Sequence, residues 1–362
     1  MGSAHRFTPL CGGCPRRVLP ALAAAIVLFV TVLPVVAADV LLPLPDVTIP
    51  PAQGKTGSFD IMEVDQAAHL MYVADRTTGG VDIFNVSTPA AQYVQTITTG
   101  AAPNGVTVAK NVNKLFVGTG DSSVVIIDIA PGSPTRNTII ARLNTGGKKR
   151  TDEMDYDPVD KKLYAANSDD GIVTAVDAVR NTIVKKFDNM GDGLEQPRYN
   201  PADGMMYLTS SEQNAVFQFD PRSDVLLRKV TVSVPCNPNG LAINPSTNQA
   251  ILGCSNTKTP MTVLWDVTAA RVITAFPDVG GGDAVIYNAK TNLFFFAASN
   301  FPKGAALAVF SGSPVRWIAN APTAVGSHAV TYDETNRVVY TINQQKGQAG
   351  LMAFWLASET LK

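Results

Sequence analysis

The chain has 362 residues, with 29 Lys and Arg against 30 Asp and Glu, for a formal net charge of -1. That balance offers a polyanion no net attraction, so nucleic acid and acidic membrane surfaces are excluded as first expectations. Hydrophobic residues are 46% of the chain and charged residues 16%, which excludes disorder and leaves ample material for a buried core.

An export signal is predicted first. Arg6, Arg16 and Arg17 precede an apolar run from Leu22 to Val36, and Val36-Ala37-Ala38 is a small-residue cleavage pattern ahead of Asp39. Residues 1–38 read as a signal peptide and 39–362 as one exported domain, periplasmic or extracellular, with no membrane span after cleavage. The run is at the short end for a span, so an uncleaved anchor is the alternative. Arg16-Arg17 matches a twin-arginine signal poorly. Cys11 and Cys14 would leave with the signal, and Pro15 after them is not the His of a haem-attachment motif. Cys236 and Cys254 remain, an even pair that in an exported chain points to a disulfide.

The rest is predicted to be all-β. Seven short apolar strands start at Tyr72, Phe116, Tyr164, Tyr207, Ile251, Phe295 and Tyr340, spaced 43 to 48 residues apart. Seven residues before each anchor stands a turn-former or small residue: Asp65, Ala109, Asp157, Asn200, Asn244, Asn288 or Asp333. That is hairpin punctuation between a first and a second strand. A third apolar run follows in every block (81–86, 124–129, 172–176, 215–219, 261–267, 305–310, 350–356), and a fourth in most. Four strands per period describe the blades of a seven-bladed β-propeller. The last block runs out after three strands, and the segment around residues 46–50 is expected to supply its fourth and so close the ring.

Tyr72-Val73-Ala74-Asp75 and Tyr340-Thr341-Ile342-Asn343 come closest to a Tyr-Val-Thr-Asn strand. On them the chain resembles the YVTN β-propeller repeat family from residue 44 to its end, with a degenerate motif. The resemblance implies the fold and leaves function open, because that family includes binding scaffolds as well as relatives of enzymes.

Twelve residues before each anchor lies a polar side chain that could ligate a metal: Asp60, Asn104, Asp152, Glu195, Asn239, Asp283 and His328. Equivalent positions in a closed repeat form a ring, here at the mouth of the central channel. The set offers mainly hard oxygen ligands, suited to calcium, magnesium or manganese. The bland reading is wet strand starts, where Asp and Asn bond nearby backbone; it fits Asn104 and Asn239, each followed by Gly, better than four acids converging on one mouth. The ring is similar in type to that of gluconolactonase and regucalcin propellers. By that likeness Glu195, Asn239 and Asp283 would hold the metal, with Asp60 and Asp152 as competitors, and a carboxylate such as Glu195 would move a proton. His328 is the alternative base, or else a solvated loop histidine.

A second set lies further along the same strands. Glu63, Asp155 and Arg198 match Thr107, Ala242, Ile286 and Thr331 of other blocks. The expectation there is an ion pair from Arg198 to one of the two acids, and the functional alternative is Arg198 gripping a ligand carboxylate. Longer connections after the second strands of blocks five to seven, around Lys258 to Pro260, Phe301 to Lys303 and Gln345 to Gly350, would raise a wall over one side of the mouth. Two functions follow. One is a monomeric propeller that binds a small polar ligand and acts as a metal-dependent, lactonase-like hydrolase or isomerase; the other is a non-catalytic scaffold for a protein or glycan partner.

Overall fold

The computed structural model describes residues 40–256, 258–299 and 304–357. The signal-peptide reading of 1–38 and the tip of the connection at 301–303 lie outside the described residues. The described chain folds as seven four-stranded antiparallel sheets arranged in a ring, a seven-bladed β-propeller. Its only helical pieces are two 3-10 turns, Pro50–Ala52 and Lys110–Val112.

The innermost strands run Phe59–Asp65, Pro103–Ala109, Met154–Asp157, Leu194–Asn200, Pro238–Asn244, Val285–Asn288 and Val330–Asp333. Each neighbours the innermost strand of the next blade, and that of blade seven meets that of blade one. Each strand ends on its turn-former, and most of these accept backbone N–H groups two or three residues on. Asp65 Oδ1 takes Ala67 and Ala68, Asp157 Oδ1 takes Val159 and Asp160, and Asp333 Oδ1 takes Thr335 and Asn336. These Asx turns fix hairpin length and so the strand register. His69 sits in the first such turn at φ 53°, a structural position away from the mouth.

Blade seven takes its fourth strand from the other end of the chain. Leu41–Thr48 pairs antiparallel with Gly350–Leu356, from Leu41 opposite Leu356 to Thr48 opposite Gly350. Cys236 and Cys254 are bridged within blade five.

Apolar burial is divided into seven clusters, one for each interface between adjacent blades. All seven strand anchors are buried in them. Because the sheets bury their faces against each other, the main apolar cores lie between blades, and the innermost strands line a central channel.

Candidate functional site: the channel mouth

The ring residues are aimed by breaks in the sheet ladder. In blades one, two, four and five the pairing of first and second strands slips between Phe59 and Met62, Pro103 and Val106, Leu194 and Pro197, and Pro238 and Gly240. Asp60, Asn104, Glu195 and Asn239 fall inside these bulges, the device that redirects a side chain out of the pleat. In blades three and six the strand starts later, yet the ring residue stays tied to the second strand: Asp152 N donates to Ala166 O at 2.8 Å and Asp283 N to Ala297 O at 3.2 Å. Gly105 and Gly240 give the Asn-Gly pairs a further reason. A methyl group on either would collide with the backbone oxygen of the next blade's ring residue, Asp152 or Asp283.

Six of the seven ring residues, Asp60, Asp152, Glu195, Asn239, Asp283 and His328, line one cavity of about 500 Å³. Asn104 does not. It is buried behind the wall, where its Nδ2 donates to Thr151 O at 2.9 Å and its Oδ1 accepts from Arg76 Nε at 2.8 Å. It positions Arg76 from a buried place, through a side chain and a carbonyl distant in sequence and not through nearby backbone.

The cavity is electrostatically two-sided. On one side Arg76 pairs with Asp60, Arg150 Nε meets Asp152 Oδ2 at 2.7 Å, and His328 Nε2 lies 3.3 Å from Asp60 Oδ1. On the other, Glu153, Glu195 and Asp283 make no ion pair with Arg or Lys among the described residues. Glu195 Oε1 accepts from Ser211 Oγ at 2.7 Å, and Asn239 Nδ2 faces Asp283 Oδ1 at 3.4 Å. Asn239 Oδ1 and Glu153 Oε2 are buried without a hydrogen-bond partner.

Burial, then the Asp283 charge, pushes Glu195 up to about 8. The same two causes hold Glu153 well above the usual carboxylate range, and burial raises Asp283. Asp152 rises to about 7, through burial and the Asp60 charge, despite Arg150. Burial works to lower His328, but the hydrogen bond and charge of Asp60, with the charge of Asp283, outweigh it and lift the imidazole to about 9. At neutral pH His328 is therefore a cation whose Nδ1–H donates to Gly326 O at 2.8 Å.

Arg76, Arg150 and Glu153 were missed by a reading confined to one position per block. A second periodicity would have found Arg76, because the residue four beyond each anchor reads Arg76, Gly120, Ser168, Ser211, Ser255, Ser299 and Gln344. Four of these, Arg76, Ser255, Ser299 and Gln344, line the mouth. The last three stand at the start of the longer connections, 255–261, 299–305 and 344–349; the others, 76–79, 120–122, 168–171 and 211–214, are shorter.

Oxygen donors dominate the acidic side, as a hard cation requires. Among the described residues, however, no three His, Cys, Asp or Glu side chains group closely enough to hold an ion. The acids line a wall and do not form a cage.

Three residues further along the innermost strands, Glu63, Thr107, Asp155, Arg198, Ala242, Ile286 and Thr331 line a second cavity of about 280 Å³. The expected ion pair is corrected here. Among the described residues Arg198 bonds only Pro197 O, at 2.7 Å, while Glu63 Oε2 accepts from Val108 N at 3.0 Å and Asp155 Oδ2 from Tyr199 N at 2.6 Å. The acids are tied to neighbouring backbone, and neither reaches the guanidinium.

No family model matches the chain, and no curated protein matches it.

Proposed function

We propose that the channel mouth binds a small polar ligand carrying positive charge, the simplest being a divalent cation that keeps part of its water shell. One observation carries the reading: among the described residues, Glu153, Glu195 and Asp283 line a single cavity with no Arg or Lys paired to them, beside the partnerless Asn239 Oδ1. Exposed to a cation, that wall gains charge-assisted contacts that it lacks within the protein. A partly hydrated ion, such as magnesium often remains, suits a wall better than a cage would. Glu195, Asn239 and Asp283 would face it, and a bound cation would supply a Lewis acid for a carbonyl group. A lactonase-like reaction would then use Glu195 as the proton-carrying group, with His328 fixing the charge of Asp60. The Cys236–Cys254 bridge supports export to an oxidising compartment, and the Tyr72 and Tyr340 strands support a propeller of the YVTN type.

Titration calorimetry with calcium, magnesium, manganese and a small primary amine tests the reading. Saturable binding is expected, weakened about tenfold or more by the double variant Glu195→Gln, Asp283→Asn, the loss of at least one charged contact. No binding by any of the four, with melting points indifferent to chelator, would overturn it. Hydrolysis of a small sugar lactone that depends on the cation would establish the enzyme; cation binding without turnover would favour a ligand or partner module.

A further inference from the structure

We infer that the second cavity, below the mouth on the channel axis, is a binding site for a small carboxylic acid with a short apolar chain. All seven innermost strands contribute to this cavity, so the blades surround it around the channel axis. Among the described residues its only basic side chain is Arg198. A guanidinium carries five N–H donors in a planar fork. The protein engages one with Pro197 O, and no ion pair reaches the others among the described residues.

The two acids nearest in register are restrained by backbone N–H groups of neighbouring strands, which keeps them from turning to Arg198. A channel that holds a guanidinium off its own carboxylates leaves the fork matched to a carboxylate from outside. The remaining wall sets the rest of the ligand. Ile61, Val106, Ile243 and Ile286 offer a dry surface for an alkyl chain, and Thr107 and Thr331 offer hydroxyls at its edge. Thr107 Oγ1 already donates to Met154 O at 3.1 Å, leaving its lone pairs to accept from a ligand hydroxyl. At about 280 Å³ the space suits an acid of a few carbons and excludes a sugar chain or a peptide.

This site uses different side chains from the mouth, although the Arg198 charge is felt by Glu153 there as well as by Glu63 and Asp155 beside it, and either reading can fail while the other stands. The test is calorimetry of the intact protein with propionate, butyrate and lactate, with chloride and inorganic phosphate as controls. Binding with a dissociation constant on the order of 1 mM is expected for the organic acids, a scale that suits so few ligand atoms. Arg198→Leu should weaken it at least about tenfold, and Arg198→Lys should restore part of it, since charge returns without the fork. Ile286→Trp, which fills the apolar wall and leaves the arginine in place, should block butyrate. No saturable heat from the three acids, equal binding to the Arg198→Leu variant, or binding of phosphate alone would overturn the proposal.

Discussion

His328 and Asp60 show how one contact sets the charge of the mouth. Folding raises the imidazole from 6.5 to about 9, so the contact stabilises fully below pH 6.5 and is lost as pH rises through about 9. His328→Asn should therefore lower the melting point at pH 6 by about 2–4 °C and have no effect on it at pH 9.5. Equal losses at both pH values would mean that the ring packs there without a charge. Glycine 240 acts by absence, letting Asp283 O pass close to the strand. Gly240→Ala must push blade six away from blade five, at a cost of about 1–3 kcal/mol. A melting point lowered by about 2–5 °C checks it, and the effect should exceed that of an Ala at Gly54, where the added methyl meets nothing but the backbone resists.

At the scale of strands, the N-terminal segment Leu41–Thr48 covers the otherwise open edge of blade seven, and Ile49 and Ala52 behind it are fully buried between blades seven and one. A chain starting at residue 53 should expose that edge and lose the cluster, giving a melting point lower by about 10 °C or more, or aggregation. An undiminished melting point would show that the ring holds without the strand. The bridge in blade five closes a loop with a sequence separation of 18, worth about 3 kcal/mol in chain entropy, so Cys236→Ala with Cys254→Ala should melt about 5 °C lower. These elements were legible in the sequence because their signals are local: most first strands end on a residue that makes its own turn, and each second strand carries a large buried side chain as its third residue. The ring was legible for the same reason, as a fixed offset from those anchors. The partners of the ring were not. Arg76 and Arg150 reach Asp60 and Asp152 from connections in the same block, away from the one position per block that the ring marks, whereas the restraint of Glu63 and Asp155 by Val108 and Tyr199 comes from adjacent blades. Nothing in a single block encodes a contact made across two.

For the whole molecule, burial divided among the blade interfaces leaves the axis to ionisable groups, and their summed titration decides where the ring is most stable. Glu195 and Glu63 rise from 4.5 to about 8, Asp152 from 3.8 to about 7, and Glu153, Asp155 and Asp283 rise as well, all mainly through burial. The folded chain therefore holds protons that the unfolded chain has released, and stability must fall as pH climbs from about 4 through about 8. His328 acts in the same direction, since a raised imidazole also loses its contribution on the alkaline side. Opposing them are Asp128, Asp177 and Asp220 at the outer turns, held below 3.8 largely by hydrogen bonds from neighbouring side chains and backbone; their contribution is present above that value and lost in acid. The two trends place the stability maximum near pH 5, at the acid end of the range usual for proteins. Melting curves from pH 4 to 9.5 should thus peak in mild acid and decline toward pH 9, and Glu195→Gln should flatten the decline by removing one of the groups that cause it. A cation at the mouth would offset the charge that deprotonation creates, so calcium or manganese should stabilise more at pH 8.5 than at pH 5.5, by several degrees if binding is about a hundredfold above its dissociation constant. A melting point that rises from pH 5 to 9 without added cation would show that the axis carries its carboxylates ionised, and with that the case for proton exchange at the mouth would fall.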